Sequence, residues 1–391
     1  MKRKVGILLS CFVMMSYLGV SPVLADISAE FSDVNVSTVQ MLITIPCLIG
    51  LITSLIAGRL VRFVYKKTVI VTSVACYVVG GLVPIFWNSH IAILLVCSGI
   101  MGIGCGGMMT CTAGIVCDYY EGKERNQMMG LQAAFIAAGG TVFTMLGGWL
   151  AADNWRNAYL SYVLLIPCLV LVAILLPKGK LEKEEEGEKG AGIPGYVWFL
   201  SLMGFLFYTF QNTFNTNSSL YVAERGLGGA SQAGLLTSVN TFAGMVAGVI
   251  LSQVMARLKK YTVPVAFGIA AVGMILAYVG TSLPVILIGG ACVGFAFSIY
   301  TPAGTTLVSE HVSMSQRSMA IAILSAANNV GASVSPYVVN ALSGVFDSTI
   351  QIKYLVSAIA IVIVMVITFI KFKNDKRRGN GKGDRVRGNG I

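Results

Sequence analysis

Charge is scarce in this chain. Asp, Glu, Lys and Arg together make 12% of the 391 residues, histidine occurs twice, and none of these five falls near the middle of any long apolar run. Without such a group, a carboxylate proton relay inside a membrane has no carrier, and a strongly charged ligand would find no counter-charge there. Also missing are a nucleophile–base pair, a metal-ligand cluster and a phosphate-binding loop, so no enzyme and no cofactor is expected. The run Gly102-Ile-Gly-Cys-Gly106 lies inside an apolar segment and cannot serve as a nucleotide fingerprint. The nine cysteines stand in apolar segments or at their ends, with no spacing that suggests disulfides or a metal site, and read as small packing residues.

What the chain has instead is hydrocarbon. A hydrophobic fraction of 55% and a mean hydropathy of +0.77 are those of a polytopic membrane protein, not of a soluble core. Runs of about 20 apolar residues, the length that crosses the bilayer as a helix, fall near 5–25, 39–64, 68–87, 91–116, 127–152, 156–176, 196–223, 231–255, 262–282, 284–308, 318–343 and 348–371. The net charge of +11 follows this topology. With the amino terminus inside, 25 basic residues lie in inside segments, and three (Arg156, Arg225 and Lys353) lie outside. That bias places both termini in the cytoplasm and makes nucleic-acid binding an unneeded explanation. The start, Met1-Lys-Arg-Lys4 followed by an apolar run, mimics a secretory signal. Its removal would leave eleven crossings and spoil the charge bias, so the first segment is read as a span.

The chain repeats itself. Placing Asp118 on Glu310 and Arg125 on Arg317, an offset of 192, also superposes Gly102 on Gly294, Val116 on Val308 and Gly139 on Gly331. The loop Gly58-Arg-Leu-Val-Arg-Phe-Val-Tyr-Lys-Lys67 falls opposite Ser252 to Lys260 at an offset of 194. Between the copies lies Glu182-Lys-Glu-Glu-Glu-Gly-Glu-Lys189, a charged run without apolar periodicity. The expected organisation is an all-α membrane protein of twelve transmembrane helices in two pseudo-symmetric six-helix bundles. Residues 1–176 form the first bundle, 177–195 a cytoplasmic linker, 196–371 the second bundle, and 372–391 a basic disordered tail.

In its twelve apolar runs, its repeat, its charged linker and its loop motif, the sequence resembles the major facilitator superfamily, and within it the drug and small-solute efflux branch. The loop after segment 2 follows that family's Gly-x-Leu-x-Asp-Arg-x-Gly-Arg/Lys-Arg/Lys pattern at Gly58, Leu60, Lys66 and Lys67; Arg62 stands in place of Asp, Phe63 in place of Arg, and Tyr65 in place of the second Gly. An arginine at that place would be repelled by a helix amino terminus, so either the latch between halves is weakened or Arg62 pairs elsewhere, with Asp118 or Glu121. Segment 4 carries Gly99, Gly102, Gly104, Gly106 and Gly107, with Ser98 where the family often has a proton-coupling arginine. Segment 5, Gly139-Gly-Thr-Val-Phe-Thr-Met-Leu-Gly-Gly148, keeps the first Gly and the final pair Gly147 and Gly148 of an antiporter motif, but Phe143 and Thr144 replace the central Gly-Pro.

Segment 7 carries the clearest chemistry. Tyr208, Gln211, Asn212, Asn215 and Ser219 share one helix face, and such a stripe must face protein or a water-filled cavity. Packing amides explain it on one reading. On the other the stripe, with Tyr17, Asn240, Tyr300, Asn328 and Asn329, contacts a substrate. The resemblance implies that segments 1, 4, 7 and 10 line a midplane cavity opened to one side at a time by rocking of the halves. Asp118 with Arg125, and Glu310 with Arg317, would then form charged cytoplasmic clusters that hold the outward-facing state. Three functions remain open: export of small neutral, zwitterionic or amphipathic solutes, favoured by the antiporter remnant; import or uncoupled facilitation, favoured by the missing membrane charge; and transport-inactive sensing, favoured by motif decay. The expected surroundings are the cytoplasmic membrane, as a monomer with a small-molecule solute, and coupling to protons stays open.

Overall fold

The computed structural model describes residues 2–179, 181, 193–313, 316–346 and 349–387. The acidic run of the linker, 182–189, lies outside the described residues. Twelve helical spans follow one another, each shielding its own backbone hydrogen bonds from hydrocarbon. They are α1 (Lys2–Glu30), α2 (Val36–Leu60), α3 (Lys66–Phe86), α4 (Ile91–Tyr119), α5 (Gly122–Leu150), α6 (Trp155–Leu175), α7 (Gly195–Gln211 and Thr213–Glu224), α8 (Ala230–Leu258), α9 (Thr262–Val279), α10 (Leu283–Glu310), α11 (Arg317–Ser343) and α12 (Ile350–Arg387). Helix starts are set by local chemistry: Asn35 accepts from the Ser37 amide at 2.8 Å and Asn154 from the Arg156 amide at 3.0 Å. The last helix runs on to Arg387, where an irregular tail was expected from residue 372. A span already helical extends at little cost through Lys371 to Arg378, where good helix formers prevail; beyond them Gly379, Gly381 and Gly383 are poor helix formers, and propensity gives no account of the last turns.

Ten helices among the described residues are long and apolar enough to cross a membrane by themselves. The remaining two are α7 and α11. The first is broken at Asn212 into pieces of 17 and 12 residues; the second carries Asn328, Asn329, Asn340 and several serines. Both must be sheltered by their neighbours.

The buried apolar residues separate into one cluster running from Ile7 to Leu176, which also takes in Ala230, and a second from Val197 to Phe372. The sequence repeat is a repeat of contacts. A methyl group added at Gly139 in α5 would run into the Phe12 carbonyl of α1, and one at Gly331 in α11 would run into the Phe205 carbonyl of α7. Gly102 in α4 similarly abuts Pro46 of α2, and Gly294 in α10 abuts the Asn240 backbone of α8. Partners offset by 193 or 194 residues therefore meet in the same way, and glycine is what lets the backbones approach.

One end of the bundle carries Lys2, Arg3, Lys4, Arg59, Lys66, Lys260, Arg317 and Lys371 and is called here the basic end; the opposite is the far end. Between described residues, every hydrogen bond joining the two halves lies between the middle and the far end. Ser21 Oγ donates to the Asn215 carbonyl at 2.9 Å, Ser219 Oγ to the Pro22 carbonyl at 2.6 Å, and Gln40 Nε2 to Asn217 Oδ1 at 2.8 Å. Asn340 Nδ2 reaches Ser37 Oγ and Gln40 Oε1 at 2.8 and 2.9 Å, and the hydroxyls of Thr141 and Thr241 lie 2.8 Å apart. Helices α5 and α8 show the splay directly. A Cβ on Gly148 would come within 2.5 Å of the Ala230 carbonyl, whereas nothing lies within 4 Å of such an atom on Gly130 or Gly248 toward the basic end. The halves are closed at the far end and parted at the basic end.

At roughly 0.6 kcal/mol for each hydrogen bond, this closure amounts to a few kcal/mol, small enough to be reversed. Replacing Gly148 by Leu should force α5 from α8 at a cost of about 1–3 kcal/mol. Spin-label distances between the far ends of the halves should lengthen in that variant, while the distances at the basic end shorten.

Candidate functional site

The break in α7 sets the geometry of the site. At Asn212 the backbone turns with φ −66° and ψ −14°, and hydroxyls flank the break. Thr209 donates to the Phe205 carbonyl at 2.8 Å and Thr216 to the Asn212 carbonyl at 3.1 Å. Such bonds back to the preceding turn compete with the helix and bend it. The polar stripe is thereby divided between two tasks.

Its far part belongs to the closure. Ser219 accepts from the Ala25 amide at 3.1 Å while donating to Pro22, and the Asn215 carbonyl receives Ser21. The Asn215 side chain leans on Asn212 Oδ1 at 3.4 Å, and Asn212 Nδ2 donates to the Ala332 carbonyl of α11 at 3.0 Å. Three further amides have structural partners. Asn240 Nδ2 donates to the Gly290 carbonyl at 2.9 Å, Asn329 Nδ2 to the Ser325 carbonyl of its own helix at 2.8 Å, and Asn328 Oδ1 accepts from the Tyr300 hydroxyl at 3.4 Å. Room for this last bond comes from Gly204, where a Cβ would strike both atoms.

Its middle part is different. Gln211 is 2% exposed and its side chain makes no hydrogen bond with a described residue, yet its amide atoms are not among the fully buried unpartnered ones, so what access the residue has is at the amide, where water or a ligand can complete it. One turn earlier, Tyr208 donates to or accepts from Thr301 at 3.0 Å, and its ring stands 5.2 Å from Phe297 and 6.0 Å from Tyr300. Tyr300 in turn packs on Phe207 at 4.8 Å and Phe267 at 5.2 Å, so an aromatic wall of the second half backs the site. From the first half comes Tyr17, whose hydroxyl lies 3.8 Å from Cys47 Sγ. Tyrosine hydroxyls, thiols and one unpaired amide make a surface that hydrogen-bonds without carrying charge.

The charged residues of the loops meet in other pairs than the sequence suggested. Asp118 is held by Lys66, whose Nζ lies 3.0 and 3.1 Å from its two oxygens and which is 3% exposed. The expected partner, Arg125, instead reaches back to Cys117 Sγ at 2.6 Å, and Arg317 reaches back to the Ser309 carbonyl at 3.1 Å. Cys117 and Ser309 are themselves 192 residues apart, so the repeat holds, but each arginine closes the end of the preceding helix, where positive charge is favoured. The linker starts on the same spot: the Lys67 amide donates to the Lys178 carbonyl at 3.2 Å and the Gly179 amide to the Tyr119 hydroxyl at 3.3 Å. Of the other loop residues singled out by sequence, Arg62 and Glu310 are exposed and Gly58 has nothing within 4 Å of an added Cβ. Gly147 abuts the Gly19 backbone, and Gly148 the Ala230 backbone across the halves.

Sequence reasoning missed the far-end network of Ser37, Gln40, Asn217, Asn340 and Lys353. Lys353, counted as an outer-loop cation, is 7% exposed with Nζ 3.4 Å from Asn217 Oδ1. Lone amides in apolar runs, Gln40 and Asn340, were the available signal.

Comparison with known proteins agrees with this architecture. The family model of the Major Facilitator Superfamily matches residues 6–278 and, again, 200–388. A multidrug transporter protein of Bacillus subtilis (strain 168), MdtP, is 24% identical over 141 residues, 36% of this chain and 25% of that protein, so the likeness spans about a quarter of the relative. The solved nucleoside transporter NupG superposes with a TM-score of 0.76 at 11% identity, covering 94% of this chain and 99% of that one. A bacterial homolog of the human lysosomal transporter Spinster, in an inward-facing and occupied conformation, gives 0.72 at 15% identity over 95% and 96%. At such identities the solved structures speak for the fold. With its two matched halves and twelve spans, the chain belongs to the Major Facilitator Superfamily and is a multi-pass membrane transporter of a solute, not an enzyme.

Proposed function

We propose that the protein exports small neutral, zwitterionic or amphipathic organic solutes across the cytoplasmic membrane by alternating access, and that the far-end-closed arrangement is its inward-facing state. The orientation rests on the basic residues, which are retained on the cytoplasmic side. The basic end then opens to the cytoplasm, and a solute entering there meets Tyr17, Tyr208 and Gln211. One observation carries the reading: the Gln211 amide, on a side chain with little exposure and no hydrogen bond to a described residue, stands one turn from an aromatic wall and away from any charge. Apolar pockets with a few placed polar groups hold such ligands. The partial likeness to a multidrug transporter favours export.

A second reading is import or uncoupled facilitation by the same movement. The absence of any Asp, Glu, His, Lys or Arg among the residues named at the site favours it, since proton coupling in membranes runs through such groups. Transport by purified protein in liposomes, against a panel of neutral and amphipathic solutes with and without a pH gradient, separates the two. Gradient-driven accumulation supports the exporter; equilibration that ignores the gradient supports the facilitator.

Within this account the amides divide by what they do. Replacing Gln211 by Leu should weaken solute binding about tenfold without lowering the melting temperature, because no internal hydrogen bond is lost. Replacing Asn240 by Leu should lower the melting temperature and leave binding within about twofold, because its bond to Gly290 is structural. Equal effects of both variants on binding would remove Gln211 from its special place.

We infer further that Lys66 and Asp118 hold the cytoplasmic end of the first half together and anchor the linker during the cycle. Lys66→Met removes the ammonium that lies 3.0 Å from the Asp118 carboxylate, at a cost of about 3 kcal/mol, and transport should fall at least fivefold. The exchanged pair Lys66→Asp with Asp118→Lys should recover most of it. Measured transport rates that stay normal in the single variant would dismiss this role.

A further inference from the structure

The far-end closure contains a socket. Gln40 of α2 is 0% exposed, and its amide is inserted into the second half. Its Nε2 donates to Asn217 Oδ1 at 2.8 Å and to the Thr216 carbonyl at 3.1 Å, and its Oε1 accepts from Asn340 Nδ2 at 2.9 Å. Both acceptors belong to α7 and the donor to α11, so the three partners sit on one half and the occupant on the other. When the halves part at the far end, the socket stays with the second half and Gln40 leaves it.

Its polarity is set within the second half. Asn217 Nδ2 donates to the Thr213 carbonyl and to Thr216 Oγ1, both at 3.0 Å, which turns Oδ1 toward the opening. Lys353 Nζ, 3.4 Å from that oxygen, holds it there. An ammonium gives hydrogens and accepts none, so turning the amide over would set two donors face to face. Helix α12, which carries Lys353, packs on α7, α9 and α11 of its own half, so the ammonium remains with the socket. Asn340 Nδ2 also donates to Ser37 Oγ of α2 at 2.8 Å, and opening frees it for another acceptor.

Two acceptors beside one donor fit a neutral carboxamide, the group that Gln40 places there. A carboxylate would set an oxygen against Asn217 Oδ1 and the Thr216 carbonyl. An amidinium would bring a second cation toward Lys353 and leave Asn340 Nδ2 facing a donor. A site built on such bonds rejects analogues that cannot make them. Neighbouring carboxylate does not reverse this choice: Glu224 at the end of α7 accepts from the Ile350 amide at 3.2 and 3.3 Å, and Lys353 forms no ion pair with a described residue.

We propose that the far end of the second half carries a binding site for a neutral carboxamide. Gln40 fills it when the far end is closed, and a carboxamide-bearing solute on the outer side takes it when the far end opens. A ligand there competes with Gln40 and holds the far end open. The exchange of occupants rests on the alternating-access reading; the site itself does not.

The test uses the full-length protein in lipid nanodiscs and three probes of one shape: acetamide, acetate and acetamidinium. Gln40→Ala removes the group that acetamide replaces and should lower the melting temperature. Acetamide, at up to about 100 mM, should recover about half of that loss saturably and leave the unmodified chain unchanged. Acetate and acetamidinium should recover none of it, and adding Asn340→Ala to Gln40→Ala should remove the response. A second arm keeps Gln40 and so reads the site even if Gln40→Ala fails to fold. In a chain with Thr141→Cys and Thr241→Cys, acetamide should slow disulfide formation across the far end about threefold. The proposal is overturned by equal responses to acetamide with and without Gln40, by recovery with acetate or acetamidinium as large as with acetamide, by recovery that survives Asn340→Ala, or by neither recovery nor slowing. Recovery in Gln40→Ala without slowing in the cross-linking chain supports the site and contradicts the opening of the far end, so the two readings fail separately.

Discussion

A polar side chain inside a hydrocarbon-embedded bundle has three places to go: a partner within its own half, on its own or a neighbouring helix; the opposite half of the protein; or an aqueous cleft. This constraint organises the whole molecule. Most of its intramembrane amides and hydroxyls take the first route, as Asn240 does with Gly290 and Asn329 with Ser325. Gln40, Ser21 and Thr141 take the second and so join the halves at the far end. Gln211 and the face of Tyr208 are left for the third. The bonds of the second kind are individually weak and can be exchanged for water when the far end opens, which is what a rocking cycle requires.

Duplication supplies the mechanical frame. Glycines 192 residues apart let α5 press on α1 and α11 on α7, so each half packs as a compact unit. The two arginines at the basic end repeat the same closure of the preceding helix. Where the halves depart from symmetry, function collects. α7 is interrupted at Asn212 alone, whereas α1 leaves the α-helix after Val13 and takes a tighter helical turn from Ser16 to Val23; the linker docks on the Lys66–Asp118 pair of the first half.

Much of this was legible in the sequence. Span length, the basic bias and the offset of 192 depend on composition and spacing, which bilayer physics reads directly, and the twelve helices follow from them. The polar stripe of segment 7 was visible as a stripe. Its division was not, because whether Asn212 meets a solute or the Ala332 carbonyl depends on which helix lies opposite and at what height, and periodicity contains neither. The pairing of Asp118 with Lys66 in place of Arg125 was hidden for a related reason: residues seven apart in sequence look like partners, but the turn between α4 and α5 sends Arg125 back to Cys117. Lys353 looked like a loop cation because it lies near the start of its helix; burial there comes from α7 packing over it.

The central claim is that the far-end contact between the halves opens during transport. Thr141 and Thr241 face each other across it, with hydroxyls 2.8 Å apart, so cysteines introduced at both positions can be joined by oxidation. In liposomes, transport by the double variant should be lost on oxidation and restored by reduction, with the unmodified chain unaffected by either treatment. Full transport while the two halves remain cross-linked at the far end would contradict the account.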